Sequence, residues 1–184
     1  MGYSEHWNKV FQINDELRRL MNTYWENYSS FGDWQFWLVL AVMLVPLVLV
    51  YFVVDRKRIF EIFFFGYTVH IVWTYIDIGL AKYNLFIHTY FLTPLFPAAL
   101  SMTASALPVG YLLVYQYCTN HKKNFYLYAL LLSAVFAFGF ATIEEYLGLV
   151  EMRKGMNQFH IFLLDLAVVY PTYWFTKLIK KMKK

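Results

Sequence analysis

Apolar positions dominate the chain and follow two different periods. Five stretches, at about 36–54, 59–80, 98–119, 125–143 and 158–176, are apolar around most of a helical wheel. Each is close to the ~20 residues a helix needs to cross a bilayer. The first 33 residues behave differently. Tyr3, Trp7, Val10, Asn14, Leu17, Met21, Tyr24 and Tyr28 recur at spacings of four and three, while Asp15, Glu16, Arg18, Arg19 and Glu26 fall off that seam. This is the pattern of an amphipathic helix. The fold class expected is therefore all-α: a transmembrane bundle of about five helices over 34–184, preceded by an amphipathic helix over 1–33. No internal repeat and no second domain are visible.

Composition agrees with a membrane chain. Of 184 residues, 60% are apolar and only 15% charged, against roughly a quarter charged in an ordinary soluble domain. A nucleic-acid binder and a disulfide-stapled secreted module are both excluded, the latter because Cys118 has no second cysteine to pair with. No cleavable signal peptide is expected, since charges run through the first 33 residues.

The net charge of +4 is informative by position. Ten of the 16 Lys and Arg follow the first, third and fifth stretches: Arg56, Lys57 and Arg58, then Lys122 and Lys123, then Lys177, Lys180, Lys181, Lys183 and Lys184. The positive-inside rule then predicts a cytoplasmic C-terminus and an outside N-terminus. Trp34, Trp37 and Tyr83 would belong to the outer aromatic belt, and Tyr117, Tyr126 and Trp174 to the inner one. The amphipathic segment carries a net −2, which disfavours adsorption to anionic lipid and favours packing on the bundle or on another protein. The partners expected are the bilayer and, through that helix, a second copy or another membrane protein. No nucleic acid is expected.

The third stretch is the least regular. Pro94 and Pro97 precede it, and Pro108 lies inside it. The apolar segment from Tyr83 to Pro97 is too short for a span and reads as interfacial or re-entrant on the outer face.

Ionisable residues within spans are costly, on the order of 2.5–3.5 kcal/mol near the bilayer centre, and mark candidate sites. Gly66, His70, Thr74, Asp77 and Ala81 share one face of the second stretch, and Gln158, Asp165, Thr172 and Thr176 one face of the fifth. In the fourth, Ala129, Ser133, Ala137 and Ala141 form a ladder of small residues that continues at Glu145. His70, Asp77, Glu145 and Asp165 are thus predicted to form a polar cluster in the outer half of the bundle, with Thr74, Glu144, Gln158 and His160 as second-tier members. Glu61, which can reach Arg56 or Arg58, is discounted. His88 and His121 are expected in solvated loops, and Cys118 as a small buried apolar residue.

Three uses of that cluster stay open: helix registration by a structural polar network, proton-coupled transport or sensing, and metal-dependent intramembrane hydrolysis. No cofactor is expected under the first two. Under the third, the four cluster residues would hold a divalent metal, although no recognised ligand spacing occurs. The reading taken is a non-enzymatic membrane protein acting through binding or assembly.

The strings TYID at 74–77, PVGYLLVYQY at 108–117 and NHKKNFYLYAL at 120–130 resemble a family of small, uncharacterised multi-pass membrane proteins of endospore-forming Gram-positive bacteria. The likeness runs from about Tyr24 to the C-terminus. It implies a bacterial plasma-membrane setting and singles out Asp77, without implying an activity. Where that pattern leads one to expect an acidic residue before the small residues of the third stretch, this chain has Thr103.

Overall fold

The computed structural model describes residues 2–95 and 98–182, so Met1, Phe96, Pro97, Lys183 and Lys184 lie outside the description. The elements run α1 (Tyr3–Tyr28), α2 (Trp34–Val53), α3 (Ile59–Lys82), β1 (Phe86–His88), α4 (Leu107–Asn120), α5 (Phe125–Ala134), α6 (Ala141–Tyr146), β2 (Val150–Met152) and α7 (Gln158–Met182). Two π-helical turns, Met102–Ala106 and Val135–Phe140, lead into α4 and join α5 to α6. The fold is all-α apart from the short ribbon of β1 and β2.

Among the described residues, four helices are long and apolar enough to cross a membrane: Trp34–Val53, Arg56–Lys82, Phe125–Tyr146 and Gln158–Met182. The helical stretch 100–120 has similar length but is less apolar, because Ser101, Thr103, Ser105 and Gln116 sit in it. Ser101, Thr103 and Ser105 are all buried against the other helices. The outermost helix is α2, which is apolar all round and buries only Phe36, Val39 and Val50. Pro46 interrupts its backbone ladder. In the turn before the proline, the Met43 carbonyl accepts a hydrogen bond from Ser105 Oγ at 2.6 Å, which ties α2 to the π turn before α4.

Helix α3 is central, packing on α4 and α7. Gly66 lets α4 approach closely: a Cβ placed there would lie 2.8 Å from Leu112 Cδ2 and 3.1 Å from Leu112 Cβ. At one end of the bundle, Arg58 donates to Thr119 Oγ1 at 3.0 Å and pairs with Glu61, which also receives Tyr115 Oη and, at 2.7 Å, Lys180 Nζ. Glu61 therefore ties the start of α3 to the ends of α4 and α7. The expected reach to Arg58 is present, and with Tyr115 and Lys180 added Glu61 is a structural hub.

Two features were not foreseen. The segment after Tyr83, expected to be interfacial or re-entrant, contributes a strand. That strand, β1, pairs antiparallel with β2, in register Phe86 to Met152, Ile87 to Glu151 and His88 to Val150. Helix α1 does form, but it buries no residue, so it does not lie along the bundle. It is held at its C-terminal end. Ser29 Oγ donates to the Phe91 carbonyl at 3.0 Å and accepts from the Phe91 amide at 2.9 Å, while Trp25 Nε1 donates to the same carbonyl at 3.1 Å.

Candidate functional site

A cavity of about 30 Å³ lies beneath the ribbon, lined by Asp77, His88, Glu144 and Asp165 together with Trp73 and Thr103. That is room for one or two water molecules. The remaining walls are apolar and include Phe86, Leu107, Phe136 and Ile161. Its polar residues come from five parts of the chain: α3, β1, the π turn before α4, α6 and α7.

Asp77 and Asp165 are where their helical stripes placed them, both buried and both on the cavity. The other two predicted members are elsewhere. His70 Nδ1 bonds the Thr103 carbonyl at 2.8 Å, with Thr74 Oγ1 at 3.3 Å, so both side chains serve to join α3 to the π turn before α4. Glu145 is exposed and accepts from Gln158 Nε2 at 2.7 Å. His160 is exposed and bonds Asn157.

In place of Glu145, Glu144 is buried on the cavity. Spacing explains the exchange. Each four-residue step along Ala129, Ser133, Ala137 and Ala141 drifts by about 40° at 3.6 residues per turn, so on a regular helix Glu144 lies nearer the middle of that buried face than Glu145 does. Glu144 also lines a neighbouring apolar pocket of about 120 Å³ between α2 and α6.

His88 was expected in solvent and is instead buried at 8% exposure. The strand alternation carries it inward with Phe86, leaving Ile87 between them less buried. Its Nε2 lies 3.3 Å from Asp77 Oδ1, yet is not aligned for a hydrogen bond, so the contact is one of charge. Burial pulls the His88 imidazole down. The Asp77 carboxylate, with Glu144 adding to it, outweighs burial and leaves the group above its ordinary value.

Asp165 is fully buried, and neither of its carboxylate oxygens has a hydrogen-bond partner. Tyr111 Oη, nearby, is engaged with Ser133 Oγ at 2.7 Å. Trp73 Nε1 is likewise buried and unpartnered. Buried polar atoms of native proteins are normally satisfied; here four on residues lining one small cavity, Trp73 Nε1, His88 Nε2 and both Asp165 oxygens, make no aligned hydrogen bond, although Tyr111 and Trp73 are donors close to Asp165. Among the described residues, no group of three or more His, Cys, Asp or Glu side chains is arranged to hold a metal ion.

Comparison of the chain with protein-family models, curated proteins and solved structures returned no match. What the cavity does is therefore argued from its own residues.

Proposed function

We propose that the chain is an integral membrane protein of five spans, N-terminus outside and C-terminus cytoplasmic, that acts through binding rather than catalysis. Its cavity is a proton-binding site in the outer half of the bundle, fit for a proton-coupled sensing or transport component. The resemblance noted above makes the bacterial plasma membrane the expected setting. Support for the fifth span comes from the stretch 100–120, whose far end meets the Arg58 and Lys180 ends of α3 and α7.

The observation that carries the site is the unpartnered Asp165 carboxyl facing a cavity with Asp77, Glu144 and a single imidazole. Three ionised carboxylates against one imidazolium would bury a net charge of −2 among apolar walls, which is expensive. Protons relieve that charge. A proton needs one oxygen, whereas a divalent ion needs several ligands brought together.

Infrared difference spectra of detergent-purified protein across a pH titration test the reading. The expected result is a carboxylic-acid carbonyl band that titrates and is lost in Asp165→Asn while the variant stays folded. A wild type with no such band, or a band unchanged in Asp165→Asn, would sink the proton site. Near-stoichiometric divalent metal by mass spectrometry, absent from an Asp77→Ala, Asp165→Ala double variant, would replace it with the metal reading.

A further inference from the structure

At the opposite end of the bundle, an open groove of about 620 Å³ runs between the ends of α4 and α7, within the range of small-molecule sites. Its walls are Tyr115 and Thr119 from α4, and Tyr173, Trp174 and Leu178 from α7, with Lys177, Lys180 and Lys181 around it. These lysines are not equivalent. Lys180 is committed to Glu61 at 2.7 Å, and that carboxylate is further neutralised by Arg58. Among the described residues, neither Lys177 nor Lys181 pairs with a carboxylate. The Lys177 ammonium instead stands 4.3 Å from the Tyr173 ring centroid, a contact that orients the charge without cancelling it. Trp174 is held by its Nε1 bond to Tyr126 Oη at 2.8 Å.

We propose that this groove binds the phosphate headgroup of an anionic phospholipid, with Lys177 and Lys181 on the phosphate and one acyl chain along Trp174 and Leu178. Charge complementarity carries the choice of ligand: two uncompensated cations sit beside exposed apolar side chains at the end of a spanning helix. A soluble anion would use the lysines and leave Trp174 and Leu178, both 55% exposed, without an occupant. A phospholipid uses both. Basic pockets between spanning helices on the cytoplasmic side are a recurrent setting for acidic headgroups, and amphipathic aromatics sit at headgroup depth. The assignment of this end to the inner leaflet rests on the topology proposed above.

Native mass spectrometry of the detergent-purified full chain tests it, titrating phosphatidylglycerol against phosphatidylcholine of the same acyl chains. Phosphatidylglycerol is expected to bind preferentially. A Lys177→Gln, Lys181→Gln double variant should weaken that binding by roughly fivefold per lysine. Lys177→Arg, Lys181→Arg should keep it, and Lys82→Gln, on the other end, should not change it. The two lysines are exposed and unpaired with acid, so the double variant should melt like wild type without lipid. Equal binding of the two lipids, or phosphatidylglycerol binding unaffected by the double variant, overturns the proposal. If inorganic phosphate alone raises the melting temperature as much as phosphatidylglycerol and displaces it, the ligand is free phosphate and the lipid assignment falls. A reporter at the C-terminus reads topology separately: an outside signal defeats the five-span orientation and leaves the lipid titration standing.

Discussion

At the scale of single residues, the chemistry concentrates on side chains whose surroundings contradict their usual habits. His88 is a strand residue of a solvent-side connection, yet it is buried within 3.3 Å of Asp77. Its raised value has a definite consequence for stability. A histidine whose folded value exceeds its unfolded value of about 6.5 contributes stability that is complete below that pH, and loses it as pH rises through the folded value. The melting temperature in detergent should therefore fall as pH climbs from about 6.5 through the raised value, and the His88→Gln variant should be flatter over that window. A profile rising over the window, or unchanged by the variant, contradicts the pair. Asp77 and Asp165 were legible in the sequence because uninterrupted α-helix carries them, and a wheel drawn at 100° per residue holds on α3 and α7. His88 was not, because a three-residue strand gives too short an alternation to stand out among apolar neighbours.

At the scale of elements, two departures from α-geometry do most to shape the cavity. Met102 and Thr103 from one π turn and Phe136 from the other line it. The inward turn of Glu144 was missed because steps of four were followed from Ala129 to Glu145, although such steps drift by about 40° each on a helix of 3.6 residues per turn. The small residues were more legible. Gly66 stood on the stripe of small and polar residues in the second stretch, and a Cβ placed there would lie closer to Leu112 than real side chains come. Gly66→Val should lower unfolding stability by about 1–3 kcal/mol through overpacking, whereas Gly79→Ala, with nothing within 4 Å, should cost nothing. Thermal melts of both variants check this; equal melting temperatures would mean that α3 and α4 are not held at this distance.

At the scale of the whole molecule, the bundle has differently built ends. One is basic and knotted around Glu61; the other carries the ribbon, the cavity and the anchor of α1. Since α1 buries no residue and is fastened through Ser29 and Trp25, removing residues 2–21 should leave the melting temperature unchanged. Ser29→Ala strands the Phe91 amide, while the Phe91 carbonyl keeps its bond from Trp25 Nε1, and should cost about 1–3 kcal/mol. A large loss on truncation would show that α1 lies against the bundle after all. The all-α class and four membrane-length helices were legible from apolar run lengths, whereas the expected third span is less apolar than the others. The attachment of α1 was not, because an amphipathic seam says that a helix wants a surface and nothing about which one.

The ribbon also sets a clock. His88 reaches the cavity from β1, and β1 is held by its ladder to β2 and by the flanking bonds from Thr89 to Leu149 and from Arg153 to Leu85. Whatever loosens those amides also loosens one wall of the cavity. Deuterium uptake at Ile87, Thr89 and Arg153 should therefore run at the rate at which the buried carboxyls equilibrate with the outside solution, so that a backbone measurement times a side-chain event.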